Sequence, residues 1–423
     1  MKVRYFVGLL LLLLAFSLSV CAADYVHEEK QYIVYQSSDS VSLLGKDEFP
    51  VFSVVGESTL MKMLEANPDL RYEEDCDIFL IGEYSDPFYS QKWDLNMIGA
   101  ETAWDAGYTG EGVKIAVIDS GVMVDHPDLQ ENMLPGACYT DTTGEVTDNY
   151  GHGTFAAGMI AAGLNGIGTV GAAPRAKIVP LKCFEEKSGK LSYLVSAIRD
   201  AVDVYGCKII NMSLGTTTNS ELLEEAVNYA LGKGCILIAA VGNDGNAVLN
   251  YPAAYDGVIG VGSVDSTKEV SAFSQRNESV MLVAPGEKVV STYNNGGYAA
   301  WSGTSFAAPL ASAAAAVLLG FDDTLDSAEM ASLLKTYAED LGDTGYDTLY
   351  GYGLLDLGRC VRALMKTPGD ADRDGLFTVR DALLLLRALL NADGSVGAEL
   401  ADVDGDGYLS LRDVILVCKM AAA

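Results

Sequence analysis

The chain has 423 residues, is 49% hydrophobic, and carries 28 Lys and Arg against 58 Asp and Glu, a formal net charge of −30. So large an acidic excess argues against nucleic acid and against an anionic membrane surface as partners. The length suggests two or three domains, and many of the carboxylates stand in short clusters suited to cations.

Residues 1–23 read as a secretory signal peptide. Lys2 and Arg4 supply the charged start, residues 9–14 the apolar run, and Ala22 or Ala23 a small cleavage position. That run is short for a membrane span, and no later stretch is long and apolar enough to cross a bilayer. Export permits disulfides without requiring them. The cysteines (Cys21, Cys76, Cys138, Cys183, Cys207, Cys235, Cys360 and Cys418) are dispersed, which is not the spacing of a zinc or redox motif. Cys207 and Cys235 each precede an apolar run and form the candidate pair.

Residues 24–83 differ in character from the remainder of the chain. Positions 31–35 and 77–80 alternate like strands and 60–65 read as a helix, which makes a small α+β unit without a catalytic constellation. From 84 to 365, β-rich runs at 113–118, 176–181, 208–212 and 235–240 are interleaved with helical stretches at 155–162, 191–205 and 222–231. That alternation predicts an α/β fold with a mainly parallel sheet, in which function gathers at the carboxyl ends of the strands. Residues 366–369 form a short hinge, and residues 370–423 carry an internal duplication.

Ser305, in Gly303-Thr304-Ser305-Phe306-Ala307-Ala308-Pro309, opens a run of small residues that reads as a buried helix. At such a helix mouth a Ser is either an N-cap or a nucleophile backed by the positive end of the helix. Two other stretches favour the nucleophile. Ile118-Asp119-Ser120-Gly121 closes a strand, and Gly151-His152-Gly153-Thr154 opens a helix. An Asp, a His and a Ser at glycine-flanked element ends make an orienting carboxylate, a base and a nucleophile. Only His27, His126 and His152 exist; His27 lies just past the leader and His126 sits in a turn, which leaves His152 as the base. Asn243, in Val241-Gly242-Asn243-Asp244-Gly245, is either a turn residue or a side-chain donor to an oxyanion, beside the Ser305 N–H.

Asp370-Ala371-Asp372-Arg373-Asp374-Gly375 begins a twelve-residue loop ending at Asp381, and Asp402-Val403-Asp404-Gly405-Asp406-Gly407 begins another, 32 residues on, ending at Asp413. Oxygens at positions 1, 3, 5 and 12 with Gly at 6 fit a Ca2+ loop, Asp standing where an EF-hand has Glu at 12.

With these motifs in that order, residues 84–365 resemble the subtilisin-like serine proteases (subtilases, peptidase S8). The resemblance implies a subtilisin-like three-layer fold and a serine endopeptidase with Asp119, His152 and Ser305 as triad and Asn243 as oxyanion donor. It implies that Ser213, Leu214 and Gly215 pair with extended protein or peptide substrates, with Ala240 and Gly242 nearby. Small Ala239 and Ala240 themselves leave room for a large side chain before the scissile bond. Tyr251-Pro252 resembles the family's cis peptide. Residues 24–83 resemble its inhibitor-like propeptide, which blocks the cleft and is removed by self-cleavage. Asp86, Asp128 and Asn165, with the carbonyls of Gly163, Ile167 and Thr169, match a family calcium site. The two Asp-rich loops resemble a type I dockerin with paired EF-hand-like loops, which implies docking to a cohesin on a scaffold or cell surface; the alternative is a calcium-stiffened tail. Positions 10 and 11, which help choose the partner, are Val379-Arg380 and Leu411-Arg412 rather than a small hydroxyl pair. The rival readings are a catalytically dead protease domain acting as a binding protein, and an exopeptidase.

Overall fold

The structure is a computed structural model and describes residues 31–35, 52–67, 70–74, 84–140, 144–365, 368–372, 376–391, 396–404 and 407–421. The leader, His27, Cys21, Cys76, the expected strand at 77–80, Lys366, Asp374 and Asp406 lie outside the described residues. The chain divides into two units, Met1–Glu83 and Tyr84–Ala423.

In the first unit, β1 (Gln31–Tyr35) runs antiparallel between β2 (Phe52–Gly56) and β3 (Arg71–Glu74), and α1 (Glu57–Ala66) follows β2 directly. Among the described residues of this unit, Val34 and Leu60 are buried apolar side chains. The helix expected at 60–65 lies inside α1, which is longer at both ends.

The second unit begins with two short helices, α2 (Trp93–Met97) and α3 (Ala100–Asp105). Next come β4 (Lys114–Asp119), β5 (Ala137–Cys138), α4 (His152–Ala161), β6 (Lys177–Lys182), α5 (Leu191–Asp203), β7 (Ile209–Met212), α6 (Glu221–Gly232), β8 (Ile236–Ala240), β9 (Ile259–Val264) and β10 (Leu282–Pro285). The strands form one seven-stranded sheet in the order β10-β9-β8-β7-β4-β6-β5, every neighbouring pair parallel. A hairpin of β11 (Val289–Thr292) and β12 (Tyr298–Trp301) leads to α7 (Thr304–Leu318), α8 (Ser327–Tyr337) and α9 (Leu357–Leu364).

Strand alternation sets the layers. In β4, Ile115 and Val117 share a core with Phe155, Met159 and the alanines of α7. Ala116 and Ile118 point the other way, into a core with Leu194, Ile198, Leu223 and Val227 of α5 and α6. The result is helix, sheet, helix. Such a sheet is covered on both faces, and its strands read as continuous apolar runs. Every one of the 15 residues of α7 is buried. Its alanines make it slim enough to lie between the sheet and α4.

The order of strands reverses at β4, with β6 on one side and β7 on the other. A cleft opens at the carboxyl ends around such a switch point. Asp119 ends β4, Ser213 follows β7, and Gly242 and Asn243 follow β8.

The Cys207–Cys235 pair is a correction: both are free thiols. Ile209 pairs with Ile236, so Cys235 comes beside Lys208, one residue out of step with Cys207. The Cys235 thiol instead donates to the Cys207 carbonyl at 3.3 Å. Burial pushes the Cys207 thiol up to about 12.

At the C-terminal end, α10 (Val379–Asn391), α11 (Ala398–Ala401) and α12 (Leu411–Met420) enclose a small core of Ala382, Leu385, Ala388, Leu400, Val414 and Val417. Gly369, in the expected hinge, donates its N–H to Leu400 O at 2.8 Å.

Candidate active site

Ser305 is the second residue of α7. Its carbonyl loses the usual donor four residues on, because that residue is Pro309 and has no N–H. A buried carbonyl needs another partner. Ser213 Oγ donates to it at 2.7 Å, Asn211 Nδ2 donates to Ser213 Oγ at 3.1 Å, and Ser312 Oγ donates to Asn211 Oδ1 at 2.9 Å. The start of α7 is thereby fastened to the end of β7.

His152 is the first residue of α4. A Cβ on Gly153 would lie 2.1 Å from Gly121 O and 3.0 Å from the Asp119 Cβ, so glycine is what lets this helix start approach the end of β4. His152 Nδ1 lies 2.8 Å from Asp119 Oδ1 and 3.0 Å from Oδ2. A carboxylate can only accept, so Nδ1 carries the proton and the Nε2 lone pair is left for a base. Burial alone would lower the His152 pKa; the Asp119 charge, its hydrogen bond and the Asp148 charge together outweigh burial and raise it above the ordinary 6.5. The imidazole packs against Phe306, with ring centroids 5.2 Å apart, and Phe306 directly follows Ser305. The structure thus brings the ends of β4, α4 and α7 to one place.

Asn243 is aimed by a neighbour the sequence did not single out. Thr304 donates to Asn243 Oδ1 through its N–H at 2.8 Å and through its hydroxyl at 3.0 Å. A backbone N–H can only donate, so the amide presents its oxygen there and turns Nδ2 away. Nδ2 lies over Gly303, 3.6 Å from where a Cβ on that residue would stand.

Ser213, Leu214 and Gly215 line a cavity of about 230 Å³ together with Asp119, Tyr150, His152 and Phe184. A neighbouring cavity of about 450 Å³ shares Phe184, Lys187, Leu214 and Gly215 with it and extends to Leu191 and Leu194. Two pockets along one edge suit alternate side chains of an extended peptide. Ala240 and Gly242 line neither cavity; Gly242 instead donates its N–H to the Thr304 hydroxyl at 3.2 Å. Ala239 and Ala240 are buried on opposite faces of the sheet, so the room expected from that pair is not in these pockets. Tyr251–Pro252 is a cis peptide. His126 is buried, with Nε2 2.9 Å from Gly297 O and Nδ1 accepting the Asp128 N–H at 3.1 Å, a structural role as expected.

Two kinds of cation site are supported by the donor chemistry. Asp370, Asp372 and Asp381 place carboxylate oxygens within 4.8 Å of one another, and so do Asp402, Asp404 and Asp413. Oxygens that each stand about 2.3–2.6 Å from one Ca2+ are separated by no more than about 5 Å, so both clusters fit. Asp381 and Asp413 also accept the Thr378 and Ser410 N–H groups at 2.8 and 2.7 Å, which ties each loop to the start of its helix. Elsewhere, Asp86 and Asp128 are buried, and Asp86 Oδ2, Asp128 Oδ1 and Thr169 Oγ1 have no hydrogen-bond partner. The Asn165 backbone N–H donates to Asp86 Oδ1 at 3.2 Å, which sets the loop of Asn165 beside Asp86. Burial, with the nearby Asp86 charge, pushes the Asp128 carboxyl up to about 6. Orphaned oxygens of this kind fit a hard cation.

The subtilase family model matches residues 110–353, and the type I dockerin domain model matches residues 368–420. The minor extracellular protease Epr of Bacillus subtilis is 38% identical over 72% of this chain, a match that spans 49% of Epr itself. The alkaline protease of Alkalihalobacillus alcalophilus is 33% identical over 84% of this chain and 97% of its own. Subtilisin E of Bacillus subtilis is 34% identical over 82% and 95%. A solved protease structure from Pseudoalteromonas arctica PAMC 21717 superposes with a TM-score of 0.62 at 28% identity, covering 66% of this chain and 99% of that one. The parallel sheet, the cleft at its switch point and these matches agree: the chain belongs to the subtilase family of serine endopeptidases and carries a type I dockerin domain.

Proposed function

We propose that Ser305, His152 and Asp119 act as the triad of a secreted endopeptidase that requires calcium and is held on a cohesin-bearing scaffold or cell surface. The observation that carries the mechanism is the Asp119–His152 contact at 2.8 Å, which fixes the tautomer a base needs. An extended substrate lies along Ser213–Gly215. Ser305 Oγ attacks the scissile carbonyl carbon while His152 Nε2 takes its proton, and the carbonyl oxygen becomes an oxyanion held by Asn243 Nδ2 and the Ser305 N–H. The intermediate collapses, the C–N bond breaks, and His152 returns the proton to the leaving amine. Water then repeats the sequence on the acyl-enzyme. Residues 24–83 serve as a propeptide that this site removes.

Asp86, Asp128 and Asn165 would hold one Ca2+ and the two Asp-rich loops one each; bound there, the ions offset carboxylate repulsion and order the loops. The cohesin face is drawn on α10 and α12. Leu376, Val379 and Leu383 are exposed, and so are Tyr408, Leu411 and Ile415, each 32 residues after its counterpart. Arg380 and Arg412 reach back to Asp372 and Asp404 at 3.0 and 3.1 Å. A repeated apolar triad flanked by a cation suits an apolar, acid-rimmed partner surface.

Asn243→Ala tests the oxyanion assignment. Turnover should fall about 10²–10³-fold with little change in substrate binding, a range known for such a donor in a subtilisin. Steady-state kinetics on a peptide substrate reads it; an unchanged kcat would make Asn243 a turn residue.

A further inference from the structure

Asp148 stands four residues before His152 and is only 4% exposed. Among the described residues no Lys or Arg pairs with it. Its carboxylate is held by hydrogen bonds alone. Oδ1 accepts from Ser120 Oγ at 2.8 Å, Tyr150 N at 3.0 Å and Gly151 N at 2.8 Å. Oδ2 accepts from Thr154 N at 2.9 Å and Thr154 Oγ1 at 2.6 Å. A negative charge at the first turn of α4 is also favoured by the helix dipole.

These bonds join two segments that carry different parts of the site. Ser120 follows Asp119, and its N–H donates to Asp119 Oδ1 at 2.7 Å. The Ser120 hydroxyl, while donating to Asp148, accepts the Gly153 N–H at 3.0 Å. Thr154 Oγ1, while donating to Asp148, accepts the Met123 N–H at 3.0 Å. One buried carboxylate therefore clamps the end of β4 to the start of α4, and the Asp119–His152 contact lies inside that clamp.

We infer that Asp148 is a positioning residue of the triad: it sets the approach of His152 to Asp119 and supports the positive charge that His152 acquires as it accepts the Ser305 proton. The inference rests on the triad reading above. The charged groups facing the imidazole are Asp119 from β4, Asp148 from the preceding loop, and Glu186 and Lys187 across the same cavity; Tyr150 lines it too, while α7 and β12 bring the rings of Phe306 and Trp301. Of the two carboxylates that favour the charged imidazole, Asp119 accepts its hydrogen bond and Asp148 acts through its charge.

The test compares wild type, Asp148→Asn and Ser120→Ala as full chains matured with calcium, each concentration fixed by active-site titration with a fluorophosphonate. Asn at 148 keeps one acceptor oxygen but loses the charge and faces its amide toward the Thr154 N–H. Its kcat per titrated site should fall about 10- to 10²-fold, the scale of a small misplacement, with KM unchanged. The acid limb of kcat/KM should move to lower pH, because removing a negative charge makes the imidazolium easier to deprotonate. Ser120→Ala should lower kcat and leave the limb where it is. An unchanged kcat in Asp148→Asn, or a lowered kcat with an unmoved limb, overturns the inference. If Asp148→Asn yields no titratable enzyme, an unchanged kcat in Ser120→Ala overturns it. A wild type that is not titrated at all overturns the triad reading first, and the two failures are thereby distinct.

Discussion

Ser305→Ala will abolish peptide hydrolysis and leave residues 24–83 attached to the rest of the chain when the variant is produced alone. The loss in kcat should be about 10⁶-fold, the scale known for a subtilisin, with a residual rate left by the oxyanion donors and substrate binding. The substitution removes one hydroxyl from a helix start held by other groups: Ser213 still caps the 305 carbonyl and Thr304 still aims Asn243. The fold should therefore persist, and circular dichroism together with calcium-dependent thermal unfolding checks that it does. Mass spectrometry of the secreted product reads processing. A variant that matures normally in isolation contradicts self-cleavage by this site.

Asp370→Ala with Asp402→Ala will abolish cohesin binding and spare the hydrolysis of a short peptide, provided calcium is kept for the Asp86 and Asp128 site. Each substitution removes one of three carboxylates whose oxygens gather within 4.8 Å, the cluster proposed to hold an ion. Asp381 and Asp413 belong both to those clusters and to the caps of α10 and α12. Without an ion, repulsion among the remaining carboxylates opens the loops and frays the helices after them. The exposed apolar positions Val379, Leu383, Leu411 and Ile415 stand on those same helices, so the proposed docking face should be lost with them. Ser305, His152 and Asp119 stand on α7, α4 and β4, whose cores are built from other residues. Calorimetry against a cohesin panel and peptide hydrolysis, on wild type and the double variant, give the two readings. Hydrolysis lost in proportion to calcium binding would make the tail part of the protease fold, and a wild type that binds no cohesin would remove the docking claim.

Much of this was legible in the sequence because its signals are local. The β-rich runs at 113–118, 176–181, 208–212 and 235–240 became β4, β6, β7 and β8 within a residue or two. A buried parallel strand is apolar on both faces, and that can be read without knowing its neighbours. Glycine-flanked Asp119, His152 and Ser305 could be read because each flanking glycine marks a close approach or an element end. What was not legible depends on partners far away in the chain. Ser213 reaches Ser305 across 92 residues, and Thr304 reaches Asn243 across 61. Pro309 did carry a hint, since a proline four residues after Ser305 leaves a carbonyl seeking a donor, but the sequence does not say which donor arrives. Asp148 looks like an ordinary loop acid until five donors are seen converging on it. The Cys207 pairing failed for a related reason. Both cysteines do sit at the starts of adjacent strands, but a one-residue offset in register, invisible in the sequence, separates them.

Ser305 as the nucleophile with His152 as its base is an assignment open to a direct chemical test. Its most direct measurement is labelling of the matured, calcium-loaded chain with a fluorophosphonate, followed by peptide mapping of the modified residue. The expected product carries a single phosphonylated residue, Ser305, and labelling is lost in His152→Ala. A label on any other residue, or labelling of Ser305 that persists at the same rate without His152, would contradict it.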